Sequence, residues 1–183
     1  SASWGGNTPC VQIETGSDDY LIFDGGSGLR VLGKEMLEKG EMSGKTFHIF
    51  LSHFHYDHIQ GIPFFVPAYV PNNKIIFHGG HGNIERTLAN QMKKPYFPIS
   101  FETFQADFEF FTHSPGDIIE VCDSRISLIE QDHPGLSYGY RVDSGDSSVV
   151  YSTDAEHKNS AHCKNYPFCL LYTSPSPRDR IAS

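Results

Sequence analysis

The sequence predicts a single domain of the α/β or α+β class, with two β-sheets layered between helices. The first observation behind this prediction is that β-type runs near both ends of the chain flank helical patterns in between. The second is that the runs after residue 118 follow one another without a helix. With 183 residues, 38% of them hydrophobic and 20% charged, the chain is long enough for one packed core and short for two.

The N-terminal part predicts two strands and a helix. Residues 10–14 and 20–24 are β-type runs separated by the turn-forming sequence TGSDD, which predicts a hairpin or adjacent strands. After the glycine-rich sequence DGGSG, apolar residues recur at roughly helical spacing until Gly40, which we expect to end the helix.

The middle of the chain predicts two buried strands and a second helix. Residues 45–52 and 73–79 are apolar enough for strands covered on both faces, which gives His48 a structural role. IPFFVPAYVP, between them, is too rich in proline for a long helix. A helix is predicted over residues 84–93 with Asn83 as its cap. The aromatic residues 96–111 predict irregular core, with a hydrophobic arm or lid as the alternatives.

The C-terminal part predicts a second sheet. Four short β-type runs, IIEV, RISLIEQ, SYGYRVD and SVVYST, are separated by the turn signals CDS, HPG and SGD. There are no internal repeats, so strands at both ends with helices between them favour two sheets in one layered domain.

Charge and cysteine content narrow the classes of function. The formal net charge is −8 and the basic residues are scattered, which argues against bulk nucleic-acid binding. Lys93 and Lys94 could contact a phosphate backbone locally, but basic residues are also favoured at the C-terminal end of a helix, which is the alternative interpretation of this pair. No apolar run approaches the roughly 18 residues needed to span a bilayer. The four cysteines form no CxxC pair, which favours a reduced, cytoplasmic setting, and Cys10 and Cys122 are interpreted as small buried hydrophobes.

The sequence LSHFHYDHIQG, at residues 51–61, predicts a metal site. His53, His55, Asp57 and His58 form the pattern H-x-H-x-D-H at the exit of an apolar strand. Strand alternation puts His53 and His55 on one side, and the following turn brings Asp57 and His58 round. Imidazole and carboxylate are ligands for zinc and for manganese or iron, whereas several buried histidines without partners would be costly.

HIFLSHFHYDHIQGIPFF resembles the signature of the metallo-β-lactamase superfamily. GGNTPC, LIFDGGSGLR, HPGLSYGYRV and VVYSTDAEH resemble flanking motifs of its ribonuclease Z and phosphodiesterase-like branch. The resemblance extends to about residue 160 and implies a four-layer αββα sandwich with a dinuclear metal centre at one edge of the two sheets. It is specific for the superfamily and says little about the substrate.

The resemblance also implies the roles of single residues. His53 and His55 would join His133 on the first metal, and Asp57 and His58 would serve the second. Asp154 would bridge both metals; in the sequence, it and His133 each follow a β-type run, at the edge where such a site collects ligands.

The remaining candidates lie outside this ligand set. Asp24 resembles a position that supports the metal ligands from behind, with a glycine-rich phosphate loop as a rival interpretation that lacks the P-loop lysine. Without a motif match, His78, His81 and His113 are expected to face solvent, and His157 is interpreted as a surface residue.

The chemistry that we expect is hydrolysis of a phosphodiester, in a small molecule or nucleotide, by a metal-bridging hydroxide with Asp57 as the catalytic residue. Zinc is the favoured metal, and relatives in this branch often form homodimers. One alternative is a thioester, lactone or β-lactam hydrolase on the same scaffold, and another is an inactive binding or scaffold protein. A redox function is disfavoured, because the diiron branch typically has an acidic residue where His55 stands.

The ends of the sequence carry a separate expectation. Residues 169–183, CLLYTSPSPRDRIAS, resemble a translated sequencing-library adapter, so the domain is predicted to occupy residues 1–168 and to be truncated at its C-terminus and at its N-terminus. The family pattern has a last histidine that completes the second metal position. No candidate for it follows His162 in this sequence, which predicts a complete first position and an incomplete second one. The expected hydrolase activity is therefore that of the parent enzyme, and this chain is predicted to be an impaired fragment of it.

Overall fold

A computed structural model of the chain describes residues 5–156. The first sheet follows chain order; its first two strands are antiparallel, and all later neighbours are parallel. Val11 pairs with Phe23, so the predicted association of the first two strands is confirmed. The strands are β1 (Val11–Ile13), β2 (Tyr20–Phe23), β3 (Thr46–Leu51), β4 (Lys74–Gly79) and β5 (Asp107–Thr112).

The second sheet confirms the prediction for the C-terminal part. It is antiparallel throughout and again follows chain order, because each strand turns directly into the next. Its strands are β6 (Ile118–Val121), β7 (Ser124–Gln131), β8 (Ser137–Ser144) and β9 (Ser147–Tyr151).

Three α-helices lie in the segments that connect consecutive strands of the first sheet: α1 (Ser27–Lys39), α2 (Tyr56–Ile59) and α3 (Ile84–Gln91). Helix α1 ends where expected, since Gly40 takes the left-handed conformation (φ 76°) that closes a helix. The proline-rich stretch forms two short 3-10 helices, Ile62–Phe64 and Val66–Tyr69; a third is Phe101–Thr103. None of the helices in residues 5–156 has the length and apolar character needed to cross a membrane.

Two details of the middle region differ from the prediction. Helix α3 ends at Gln91 rather than at residue 93, because the backbone of the next residue, Met92, leaves the helical conformation (φ −97°, ψ 17°); its side chain is buried in the core. Asn83 precedes the helix but makes no side-chain cap hydrogen bond; it takes a left-handed conformation (φ 60°), which asparagine tolerates. The predicted irregular stretch contains β5, in which Phe108 and Phe110 alternate towards the core, so its assignment to the core was right and its assignment as irregular was wrong.

Two apolar clusters hold the layers together. The first lies between the helices and the first sheet, with Leu29 and Leu88 packed against strand residues such as Ile49. The second lies between the two sheets and includes Phe50 and Tyr140. Every buried apolar residue of the three α-helices belongs to the first cluster. The fourth layer of the expected αββα sandwich is therefore not among residues 5–156.

The expectation of solvent-facing histidines is wrong for His78, which is only 3% exposed. Its ring stacks on Phe50 with the centroids 4.3 Å apart. Its Nε2 atom lies 3.0 Å from Nδ1 of His48, and its Nδ1 atom lies 3.0 Å from Nε2 of His113. His113 and His81 are half-buried. Because His48, His78 and His113 contact one another through their ring nitrogens across neighbouring strands, the sheet can bury His78.

The remaining sequence predictions concern cysteines and the chain ends. Cys122 is buried in the second cluster and Cys10 packs, partly buried, against the first, and burial raises the pKa of each thiol to about 12. This agrees with their interpretation as small hydrophobes. The predicted domain boundary at residue 168, the tail at 169–183 and His157 lie outside the described residues.

Candidate metal centre

The H-x-H-x-D-H motif begins where β3 leaves the first sheet. Strand β3 ends at Leu51, and the Ser52 backbone N–H donates a hydrogen bond to Asp24 Oδ1 (2.7 Å), which fixes the point from which the motif departs. His53 is almost fully buried, whereas His55 is exposed and immediately precedes α2. The short helix then turns His58 inwards and leaves Asp57 half-exposed.

The glycine-rich loop after β2 packs directly on the motif. The backbone N–H of Gly25 donates to the carbonyl of His58 (2.7 Å), and that of Gly61 donates to the carbonyl of Gly25 (2.8 Å). A Cβ atom on Gly61 would lie 1.9 Å from the carbonyl oxygen of Gly26, so only glycine allows this approach. The Gly26 N–H donates to Pro9. Because both loop amides are used within the protein, the geometry does not support the rival interpretation of a phosphate loop.

The first group of candidate ligands combines His53, His55, His133 and Asp154, whose donor atoms all lie within 4.8 Å of one another. The Nδ1 atom of His55 lies 2.9 Å from Nε2 of His53 and 3.2 Å from Nε2 of His133. Asp154 Oδ2 lies 3.7 Å from the His53 nitrogen and 3.8 Å from the His133 nitrogen. Ligand atoms of a tetrahedral zinc site are separated by about 3.3 Å, given bonds of about 2.0 Å. The donor set therefore fits one divalent ion.

The second group combines Asp57, His58 and Asp154. Nε2 of His58 lies 3.4 Å from Asp57 Oδ2 and 3.5 Å from Asp154 Oδ2. This nitrogen is buried and has no hydrogen-bond partner, which is unusual for a polar atom in a protein interior unless an ion or water completes it. The same oxygen of Asp154 faces both groups, so it is in position to be shared by two ions.

Asp24 is fully buried behind His58 and is surrounded by donors. Its Oδ2 atom lies 2.7 Å from His58 Nδ1 and accepts hydrogen bonds from the hydroxyls of Ser52 and Tyr151, each at 2.7 Å. A carboxylate at Nδ1 fixes the orientation of an imidazole ring and directs its other nitrogen outwards. The unpartnered Nε2 atom of His58 is consequently held towards the two aspartates.

The electrostatics of the cluster are those of closely spaced imidazoles. Burial, and then the charge of the nearby His58, lower the pKa of His53 to about 4. For His58 burial acts downwards, but the hydrogen bond and charge of Asp24 outweigh it and raise the pKa. Partial burial of Asp154 acts upwards, and the attraction of His58 and other histidines lowers its pKa overall. At neutral pH the cluster therefore offers an ionised carboxylate and a neutral His53 ring.

Sequence reasoning missed two residues of the site. The Ser52 hydroxyl contacts both Asp24 and Nδ1 of His53, the latter at 3.0 Å. Tyr151 reaches Asp24 from the second sheet. A serine beside the first histidine and a tyrosine at a strand end carry no distinctive spacing, so neither could be singled out.

His81, expected to face solvent, instead packs edge-on against Tyr138 with the ring centroids 4.9 Å apart.

Known proteins share both the sequence pattern and the fold. Residues 21–166 match the family described as the beta-lactamase superfamily domain. A ribonuclease Z of Haloarcula marismortui is 30% identical over 155 residues, which are 77% of this chain and 45% of that protein. The chain thus spans less than half the length of this curated relative.

Two solved structures show the fold. The metallo-β-lactamase fold protein YhfI from Bacillus subtilis superposes with a TM-score of 0.61 at 22% identity, over 86% of this chain and 59% of that one. The short form of human tRNase Z gives a TM-score of 0.58 at 14% identity, over 90% and 67%. Together with the family match over most of its length, these likenesses show that the chain belongs to the beta-lactamase superfamily and has the metallo-β-lactamase fold.

Proposed function

We propose that the protein is a metal-dependent hydrolase with a dinuclear centre that cleaves phosphodiester bonds. One observation carries this proposal: Asp154 Oδ2 lies 3.5–3.8 Å from nitrogens of both candidate ligand groups. A carboxylate shared in this way is the arrangement needed to hold two divalent ions close together.

The proposed ligands come from both sheets. The first metal would be held by the three histidines and the aspartate of the first group, and the second by the three residues that include His58, with Asp154 common to both. Zinc is the favoured metal because nitrogen-rich sets with a carboxylate suit it, although manganese and iron accept the same ligands. Within residues 5–156 the second group offers three side chains, and the first offers four.

The metal ligands, Asp57 and Asp24 would have different roles in the proposed reaction. When bound, the metals would supply a nucleophile by lowering the pKa of water and would offset charge that grows on the phosphoryl oxygens. Asp57, half-exposed at the open side of the centre, is the residue proposed to orient that nucleophile and accept its proton. Asp24 would act through His58 by holding its ring in place.

The phosphodiester specificity is the finer part of the proposal. It is supported by the similarity to proteins named ribonuclease Z. This similarity favours a nucleotide or RNA phosphodiester as the substrate. The substrate would be held locally at the metal centre, because a protein with a net charge of −8 has no general attraction for nucleic acid. A cytoplasmic location, which the cysteine pattern favours, and a homodimer, which the resemblance to the family suggests, remain predictions.

A panel of four substrates tests the function. We expect a purified sample that contains zinc to hydrolyse bis(p-nitrophenyl) phosphate faster than nitrocefin, a thioester or a lactone. Faster turnover of one of the other three substrates would favour the alternative hydrolases. A folded protein that binds zinc but hydrolyses none of them would favour an inactive fragment or a binding or scaffold role.

An exchange at the proposed catalytic residue tests the mechanism. Asp57→Asn should lower kcat by at least about 100-fold, because general acid–base groups contribute roughly that factor. Asp18→Asn, on the exposed turn between β1 and β2, is the matched control and should leave kcat unchanged. Full activity in a metal-loaded Asp57→Asn variant would remove this residue from the mechanism.

A further inference from the structure

Two tyrosines stand side by side on the second sheet, Tyr140 fully buried and Tyr151 partly buried. Tyr140 in β8 and Tyr151 in β9 are directly paired in the antiparallel ladder. Both rings pack against Phe23 of the first sheet, with centroid distances of 5.5 Å and 5.6 Å. The two side chains therefore make similar apolar contacts between the sheets.

Their hydroxyl groups have different partners. The Tyr140 hydroxyl donates to the backbone carbonyl of Leu51 (2.6 Å), a contact between the two sheets that does not involve the metal centre. The Tyr151 hydroxyl donates to Asp24 Oδ2 (2.7 Å), the atom that also contacts His58 Nδ1. Burial and the charge of Asp24 raise the pKa of Tyr151, so its hydroxyl keeps its proton and remains a donor at working pH.

The position of Tyr151 in the chain gives this hydrogen bond its significance. Strand β9 ends at Tyr151, and the chain leaves the sheet before it reaches Asp154, three residues later. Asp154 is 40% exposed, so packing alone does not fix its carboxylate. The Tyr151 hydroxyl is thus the contact through which the end of β9 reaches the network that orients His58. The residues on either side of Asp154 are tied separately to the end of β7, since the Gln131 amide donates to the Ser152 hydroxyl and the Glu156 N–H donates to the Asp132 carbonyl.

We propose that Tyr151 is a positioning residue: its hydroxyl holds the end of β9 on Asp24 and thereby sets the spacing between Asp154 Oδ2 and His58 Nε2. Its consequence for metal binding rests on the proposed function. The residue does not touch either ion in this proposal. It acts through the chain that leads to Asp154 on one side and through Asp24 on the other.

Tyr151→Phe tests the proposal against Tyr140→Phe, which removes the same atom from the paired position. We expect Tyr151→Phe to weaken zinc affinity about tenfold, as measured by competition with a chromophoric chelator, because loss of a supporting contact behind a ligand typically costs 10–100-fold. The visible absorption of the cobalt-substituted protein should also change, since that spectrum reports the ligand geometry. Tyr140→Phe should keep affinity within about threefold of the wild type and leave the spectrum unchanged.

A second measurement needs no metal. In the metal-free protein, the backbone amide hydrogen of Glu156, which donates to the carbonyl of Asp132 (2.7 Å), should exchange about tenfold faster in Tyr151→Phe than in the wild type, because a hydrogen bond to a charged group has been lost from the strand end that leads to it. Unchanged exchange in Tyr151→Phe would overturn the proposal, as would an equal effect of Tyr140→Phe. A wild type that binds no zinc would refute the proposed function instead, and the exchange comparison would still decide whether Tyr151 holds the Asp154 segment.

Discussion

Replacing Asp24 with asparagine puts an amide group at the centre of the buried network behind His58. Oδ2 of Asp24 faces the hydroxyls of Ser52 and Tyr151 as well as His58 Nδ1, and Oδ1 accepts the Ser52 backbone N–H. If the asparagine NH2 group takes the place of Oδ2, it faces the hydroxyl groups and the His58 nitrogen, which act as donors. If it takes the place of Oδ1, it faces the Ser52 backbone N–H. Either orientation leaves at least one buried donor without an acceptor.

The magnitude follows from those contacts. Loss of one hydrogen bond to a charged group costs about 1.5–3 kcal/mol, and Asp24 is fully buried, so solvent does not screen the effect. Removing such support from a ligand histidine typically weakens metal binding 10–100-fold, which corresponds to about 1.4–2.7 kcal/mol. Asp24→Asn should therefore unfold at lower urea concentration in EDTA and also bind zinc at least tenfold more weakly.

Chelator competition measures the affinity, and urea unfolding measures the stability. Asp18→Asn serves as the control for a change of charge alone, because this residue lies on the exposed turn. A zinc affinity within twofold of the wild type, in a variant that has lost stability, would show that the network supports the fold but not the metal ligands.

Three further predictions concern the fold and the metal. The folded state keeps His78 neutral, because burial and then the charges of His48 and His113 lower its pKa from 6.5 to about 3. In the unfolded chain the same group takes up a proton below pH 6.5. Its contribution to stability is therefore lost as the pH falls from 6.5 towards 3. The free energy of unfolding of the wild type relative to His78→Gln should consequently drop by about 2–3 kcal/mol between pH 7 and pH 4.5 in EDTA, and a pH-independent difference would refute the assignment. Gly61→Ala should cost about 3 kcal/mol in urea unfolding because its Cβ meets the backbone of Gly26, whereas Gly82→Ala, with nothing within 4 Å, should change little. Zinc at 100 times its dissociation constant should stabilise the protein by about 2.7 kcal/mol relative to an EDTA-treated sample, and equal thermal midpoints would contradict a folded-state metal site.

The parts of the site that the sequence predicts are the local ones. His53, His55, Asp57 and His58 lie within six positions, so strand alternation and one turn are enough to bring them together. The two-sheet arrangement could also be predicted, since each short strand of the second sheet is followed directly by its partner. In both cases the interacting residues are close in the chain.

The parts that could not be predicted depend on contacts between distant residues. Tyr151 and Asp24 are 127 positions apart, and nothing in the local sequence of either indicates the other. His78 and His113 are 35 positions apart and meet only because β4 and β5 pair in one particular register. For want of a motif match His78 is expected to face solvent, although its ring lies between those of His48 and His113.

The donor atoms of the candidate centre come from segments that follow strands of different sheets, so the packing between the sheets affects the geometry of the centre. His53 follows a strand of the first sheet, whereas His133 and Asp154 follow strands of the second. The separation of the sheets is set by aromatic rings such as Phe50 and Tyr140, whose centroids lie 5.4 Å apart. The thickness of this aromatic layer therefore sets the distance between the ligands that the two sheets contribute. A change of ring size in the core is expected to change that distance, and with it the preference for one metal over another, while every ligand stays the same.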